Sequence, residues 1–351
     1  MKNIWLLRIP LLIFSLLGGF LNICMLWIAY KLLGFIPFYK KRKAYKALKF
    51  YGYHVMISYM SLFFTRAFYF HGNVKKLKAR KSISIFNHCS DFDWLFIIVI
   101  YYKLNMFENL FFLMKKELGK IPVFGYLIQQ NGHLLISRSD KNSDICEIQR
   151  YVKKYNKTNE KFSIFIFPEG TYLHKKSIKK TLEFAEKTNL TIKNEEYRPT
   201  HTLIPRVTGF NTVQNDLNAK CIYNGLILNN PYFKIFEEVQ GNLSYLLCEK
   251  VPLQPVILLD AISIHRINEN FMYECFYEKE KTIKKYIENI DGKNILSKEE
   301  LEQILKNIGV IKKHSCLSKT YVKSKYQIQI FLFTTLVQFL LLFFIRKCIN
   351  K

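Results

Sequence analysis

The chain has 351 residues, of which 50% are hydrophobic and 16% aromatic, enough for one sizeable core and too many for a disordered chain. Its 53 basic against 27 acidic residues give a formal charge of +26, which calls for a polyanionic partner: nucleic acid, an anionic membrane surface or a phosphorylated substrate. No nucleic acid is expected, because the sequence has no zinc-finger spacing, no basic zipper and no aromatic and glycine strand signature, and the 8 cysteines include no Cys-x-x-Cys pair and read as free thiols.

The uncharged run from Ile9 to Tyr30 is long enough to cross a hydrocarbon core of about 30 Å. Lys2 and Arg8 precede it, whereas Lys31 and the cluster from Lys40 to Lys49 follow it, so the positive-inside tendency puts the following domain in the cytosol. A second uncharged run, Gln327 to Ile345, is also long enough to span. Residues 1–36 and 327–345 are therefore expected to be N-terminal and C-terminal membrane helices, with the lipid bilayer as a partner. From 37 to 81 basic and aromatic residues alternate, and the charge-free stretch Phe50 to Thr65 is expected to be an amphipathic helix in the headgroup layer.

Ser82 to Phe86 alternates like a strand and leads into Asn87-His88-Cys89-Ser90-Asp91-Phe92-Asp93-Trp94. With His88 in the turn leaving the strand and Asp93 opening a helix over Trp94 to Tyr102, the carboxylate can hold one imidazole nitrogen and leave the other for a substrate. An imidazole titrates at about 6.5 and is largely neutral, hence basic, near pH 7. A second strand, Phe162 to Phe167, delivers Phe167-Pro168-Glu169-Gly170-Thr171 in the same way. Two strands ending in polar clusters point to one site at the edge of one sheet.

Between these blocks, Leu134 to Ser137 reads as a strand ending on Arg138, whose guanidinium suits a phosphate or plain solvation. Residues 139–161 and Thr181 to Leu190 read as helices, His201 to Pro205, Ala219 to Leu228 and Ala261 to His265 as strands, and 289–326 as a polar connector. The central domain is thus 82–288. His201 has no partner nearby in sequence and reads as structural. Cys89 is set aside as a nucleophile because adjacent residues on a turn point apart. Asp91 and Asp93 lack further ligands at usable spacing, so no metal site is expected.

Asn87-His88 with Asp93-Trp94, followed by Phe167-Pro168-Glu169-Gly170-Thr171, resembles the glycerolipid acyltransferase family. Lys115-Lys116-Glu117-Leu118, Ile121-Pro122, Phe124-Gly125, Ile136-Ser137-Arg138 and Leu203-Ile204-Pro205-Arg206 extend the likeness over roughly residues 82 to 280, toward the branch of lysocardiolipin and lysophosphatidylinositol acyltransferases. The resemblance implies an α/β fold with a mixed sheet flanked by helices. It also implies acyl-CoA as donor substrate with no cofactor, and a lysophospholipid as acceptor, first of all lysophosphatidic acid acylated at sn-2. His88 and Asp93 would be catalytic, with Asn87, Lys115, Arg138, Glu169, Gly170, Thr171, Pro205 and Arg206 binding substrate. Many relatives carry an arginine after the threonine, where this chain has Tyr172; Lys175 or Lys176 would substitute.

In that scheme His88 takes the acceptor's proton as its oxygen attacks the thioester, and backbone amides near the same turn or at Gly170 hold the oxyanion. Alternatives are a lysocardiolipin, lysophosphatidylinositol or glycerol 3-phosphate acceptor, a CoA-independent transacylase, and an inactive lipid-binding scaffold. The expected location is an integral membrane protein of the endoplasmic reticulum with a cytosolic catalytic domain, a mitochondrial or plastid-like membrane being the alternative. Nothing in the sequence points to a protein partner.

Overall fold

The computed structural model describes residues 4–35, 38–60, 67–72, 79, 81–90, 93–158, 160–230, 254–290, 296–321, 329, 332–337 and 340. Two helices come first, α1 (Ile4–Leu32) and α2 (Phe38–Met60), followed by strand β1 (Ala67–Gly72). β2 (Lys81–Phe86) leads into α3 (Asp93–Lys103), and β3 (Leu110–Lys115), α4 (Phe124–Gln130) and β4 (Leu134–Ile136) follow. α5 (Lys141–Asn156) returns the chain to β5 (Phe162–Ile166). After α6 (Lys175–Thr188) a short hairpin, β6 (Thr191–Ile192) and β7 (Glu195–Glu196), leads to α7 (Val207–Asp216) and β8 (Cys221–Asn230). β9 (Gln254–Ser263), α8 (Phe271–Ile290), α9 (Lys298–Asn307) and β10 (Ser318–Tyr321) complete the described elements.

Among the described residues the main sheet has the order β10-β1-β9-β8-β2-β5-β3-β4. β2 lies between β5 and β8, parallel to both, while the β8–β9 and β1–β10 pairs are antiparallel, so the sheet is mixed. β1, from the stretch expected at a headgroup layer, pairs with β9 inside this sheet.

The alternation in β2 separates two buried faces rather than a buried face from a wet one. Ile83 and Ile85 pack with Ile148, Val152 and Phe210 on one side, and Phe86 packs with α3 on the other. Ser82 and Ser84 share Phe86's face of the strand by the period of two. Their hydroxyls form a closed set: Ser82 donates to Ser163 at 2.9 Å, Ser84 meets Ser163 at 3.0 Å, and Ser84 meets the Tyr101 hydroxyl at 2.5 Å. Such groups would each cost about 1–3 kcal/mol if buried without partners, and here none of these four is.

The expected strand at His201 to Pro205 is instead irregular. Its backbone amides have carboxylate partners in place of a ladder: His201 N–H donates to Glu280 at 2.9 Å and Leu203 N–H to Glu169 at 2.7 Å. His201 Nδ1 itself lies 3.1 Å from Glu280 Oε1.

The membrane helices expected at both ends are corrected. Among the described residues no helix is long and apolar enough to cross a membrane. α1 and the turn after it are docked on the domain: Leu26 and Tyr30 of α1 and Leu33 just beyond it are buried with Leu127 of α4, and the Tyr30 hydroxyl donates to Asn131 at 2.9 Å. An uncharged run reads alike whether protein or lipid covers it, which is why the sequence suggested a span. The C-terminal run 327–345 lies outside the described residues apart from 329, 332–337 and 340. The integral-membrane location inferred from these two runs falls with them.

One glycine fixes the end of β2. Gly225 stands opposite Phe86 in the β2–β8 register, and a methyl there would lie 1.9 Å from Phe86 Cε1. Gly225→Ala must displace the ring that precedes Asn87 and His88. It is expected to destabilise the protein by about 1–3 kcal/mol, read as a lowered denaturation midpoint with an unchanged slope.

Candidate active site

β2 and β5 are adjacent parallel strands in register from Lys81↔Phe162 to Ile85↔Ile166, so the residues just beyond them meet. His88 and Glu169 leave the sheet side by side, and the His88 amide donates to Glu169 Oε2. Asp93 opens α3, where the positive end of the helix dipole favours a carboxylate.

Asp93 is fully buried and its carboxylate organises the turn. Oδ2 accepts from the amides of Cys89 at 2.5 Å and Ser90 at 2.9 Å and lies 3.0 Å from His88 Nδ1, while Oδ1 accepts from Ser90 Oγ at 2.8 Å. Where Nδ1 donates to Asp93, Nε2 is the other ring nitrogen, and it has no protein partner among the described residues. The imidazole is stacked on Phe167, with centroids 4.0 Å apart and 12° between planes, and has Tyr172 edge-on at 6.0 Å. These two rings fix its orientation where the carboxylate alone would allow rotation about one bond. An imidazole held by a carboxylate on one nitrogen and open on the other is able to act as a general base.

The other residues singled out in the sequence fall into separate groups. Asn87 is fully buried and bridges to β8: its Oδ1 accepts from Ile227 N–H at 2.8 Å and its Nδ2 donates to Ile227 O at 3.0 Å. Cys89 is buried with its sulfur accepting from Asn87 Nδ2 at 3.0 Å. Lys115 ends β3 opposite Ile136 and is exposed.

Arg138, Gly170 and Arg206 come together around a cavity of about 260 Å³, with Pro168, Ser139 and Lys141 also on its wall. Arg138 has a left-handed backbone, φ +62°, held by its own N–H donating to Asp144 at 2.7 Å and its Nη1 donating to Gly170 O. Burial and the facing Arg206 charge lower its pKa from the usual guanidinium value, with Glu117 and Asp144 acting the other way. Gly170 has φ +74°, and a methyl there would sit 3.3 Å from Arg206 Cδ, so glycine lets that side chain lie across the loop. Arg206 N–H donates to Pro168 O at 2.8 Å, which ties the two loops together; Pro205 is buried and Thr171 half-buried.

Glu169 is bound to the protein's own backbone. It is 3% exposed and clamps two loops, Oε2 accepting from His88 N–H and Oε1 from Leu203 N–H at 2.7 Å. Burial pushes its carboxyl up to about 8, against the opposing pull of the Leu203 and His88 amides and Lys279. The amides expected to hold an oxyanion are already donated: His88 to Glu169, Cys89 and Ser90 to Asp93, and Gly170 to Phe167 O.

The sequence reading gave no role to Ser90 and Phe167, which stand inside the two motifs it used, or to Asp144, six residues after Arg138, whose amide it accepts. A second, apolar cavity of about 400 Å³ separates α1 and α2 from the sheet and reaches Trp94, the neighbour of Asp93; Phe20, Ile23, Leu26, Ile98 and Met114 also line it. Among the described residues no group of three or more His, Cys, Asp or Glu could hold a metal ion.

Residues 67–202 match the family model described as Acyltransferase. The chain is 24% identical over 228 residues to an uncharacterized acyltransferase of Schizosaccharomyces pombe, covering 62% of this chain and 63% of that protein. It is 30% identical over 139 residues to lysocardiolipin acyltransferase 1 of Mus musculus, covering 39% of this chain and 35% of that protein. Over 264 residues it is 21% identical to the mouse 1-acyl-sn-glycerol-3-phosphate acyltransferase epsilon, with 69% of each covered. The chain therefore spans less than two thirds of the first two relatives. No solved structure matches.

Proposed function

We propose, from the premise that the chain belongs to the glycerolipid acyltransferase family, that it moves an acyl group from acyl-CoA to the free hydroxyl of a lysophospholipid, foremost lysophosphatidic acid at sn-2. The observation that carries this reading is the His88 Nδ1–Asp93 Oδ2 contact of 3.0 Å, which leaves Nε2 for a substrate; Trp94, next to Asp93, lines the apolar cavity, and Phe167, on which the imidazole stacks, lines the polar one.

In this scheme His88 Nε2 accepts the proton of the hydroxyl as its oxygen attacks the thioester carbon. Asp93 stabilises the imidazolium that forms. When the tetrahedral intermediate collapses, the carbon–sulfur bond breaks and the imidazolium protonates the departing thiolate, so coenzyme A leaves as the thiol. No metal or organic cofactor takes part in these steps. The apolar cavity suits a fatty chain and the cavity between Arg138 and Arg206 suits a phosphate, the two ends of the proposed acceptor. Holding both reactants in line supplies up to about 7–11 kcal/mol of the barrier lowering.

The test is an acceptor panel with one labelled acyl-CoA: lysophosphatidic acid, lysophosphatidylinositol, lysophosphatidylglycerol, lysocardiolipin and glycerol 3-phosphate. Fastest labelling of lysophosphatidic acid is expected. Transfer only from a phospholipid donor would replace this reading by transacylation, and no transfer from either donor would leave a lipid-binding scaffold.

A further inference from the structure

Arg138 stands between β4 and α5 with φ +62°, in the left-handed region that glycine, asparagine and aspartate enter readily and an arginine does not. Such a conformation persists where its surroundings over-determine it, and here a single carboxylate holds the turn. Asp144, in the first turn of α5, is 9% exposed. Its Oδ1 accepts from Ser137 N–H at 2.8 Å and from Ser137 Oγ at 3.1 Å, and its Oδ2 accepts from Arg138 N–H at 2.7 Å. Two consecutive amides are therefore drawn to one side of the turn. α5 does not need this carboxylate for its own start, because Asp140 caps the helix by accepting from Asn142 N–H at 3.0 Å and Ser143 N–H at 3.2 Å.

At the far end of the same side chain, Arg138 Nη1 donates to Gly170 O, and Arg138 borders the cavity of about 260 Å³ that Arg206 and Lys141 also line. Asp144 lies on that wall as well, with both oxygens engaged by the turn. We propose that Asp144 is a positioning residue for anion recognition in this cavity: by holding the Ser137 and Arg138 amides it keeps Arg138 left-handed, the conformation from which its side chain reaches Gly170 beside Arg206. That the anion is an acceptor's phosphate rests on the acyl-transfer reading; the geometry does not. A return of Arg138 to negative φ turns its Cα–Cβ bond and carries the guanidinium off that wall. Asparagine is the informative replacement for Asp144. Its oxygen can serve one amide and its NH₂ cannot accept from the other, so one N–H of the turn loses its acceptor whichever way the group lies.

The experiment measures the affinity of the full chain for inorganic phosphate by titration calorimetry, alongside Asp144→Asn, Arg138→Ala and the double variant. The same proteins are assayed for KM and kcat with labelled acyl-CoA and lysophosphatidic acid. Asp144→Asn should weaken phosphate binding by about 10-fold, the scale of one charge-assisted hydrogen bond, and raise the KM for lysophosphatidic acid to match, with kcat changed far less. In the Arg138→Ala background it should weaken phosphate no further, because the side chain it positions is gone. An equal loss in both backgrounds, an unchanged affinity in Asp144→Asn, or a wild type that takes no phosphate overturns the proposal. A merely structural role would act in both backgrounds and lower kcat as well. Phosphate binding with the expected pattern but no acyl transfer supports the proposal and sinks the acyl-transfer reading instead. Should Asp144→Asn not fold, Asp144→Ala, which leaves room for water to take both amides, carries the same comparison. Failure of both to fold overturns the proposal, since it would make Asp144 part of the frame.

Discussion

His88→Ala is expected to lower kcat by about 10³- to 10⁴-fold, the upper part of the range for removing a positioned general base. Among the described residues Nε2 of His88 is the unpaired basic atom at the ends of β2 and β5, and the nearby carboxylates are occupied, Asp93 by the turn and Glu169 by two backbone amides. Asp93→Asn tests the second half of the pair and should behave differently. An asparagine oxygen in the Oδ2 place keeps the bonds from Cys89, Ser90 and His88 Nδ1, and its NH₂ can donate to Ser90 Oγ, which is able to accept. Fold and tautomer survive; what is lost is the negative charge facing the imidazolium. A fall of about 10²-fold in kcat with an unchanged melting curve is expected, and the double variant should be no slower than His88→Ala, because the two act as one unit. Turnover within tenfold of wild type for His88→Ala would remove His88 from the chemistry.

The strand ends that build this site were legible because their signals are local. Ser82 to Phe86 and Phe162 to Phe167 were read as strands from alternation and β-formers, and each is followed by a polar cluster, His88 with Asp93 after the first and Glu169-Gly170-Thr171 after the second. What remained hidden depends on partners distant in sequence. Nothing within Leu110 to Lys115 distinguishes a buried strand from a helix segment, and its place beside β5 is set by pairing such as Phe111↔Ile164. His201 to Pro205 looked like a strand because local pattern cannot show that Glu280 and Glu169 will take its amides.

The same limit explains the ends of the chain. The run Ile9 to Tyr30 reads like a membrane span because it carries no charge, yet Leu26 and Tyr30 within it pack with Leu127 of α4, and composition alone does not tell which surface covers a greasy helix. Glu169 was expected among the ligand-binding residues since it stands in a motif with Gly170 and Thr171. It is buried, and its two oxygens accept the amides of His88 and Leu203, the second from a segment distant in sequence.

Arg138→Ala and Arg206→Ala are each expected to raise the KM for lysophosphatidic acid by about 10- to 100-fold, the loss of one charge-assisted contact worth about 1.5–3 kcal/mol, with kcat changed far less. Both guanidiniums border the same cavity of about 260 Å³, and each acts on the other as a like charge, which is one cause of the lowered pKa of Arg138. Two cations held together repel until an anion lies between them, so the sign of the stability effect should depend on the ligand. Without phosphate, Arg206→Ala removes the repulsion and the melting temperature should hold or rise slightly. With inorganic phosphate present, the wild type should gain stability and Arg206→Ala should gain less. Monoacylglycerol, which has the acceptor hydroxyl but no phosphate, supplies the control: neither replacement should raise its KM. Equal KM increases for both acceptors would mean that the two arginines shape the loop without binding the headgroup. In that case Gly170 and Arg206 would belong to the scaffold with Glu169.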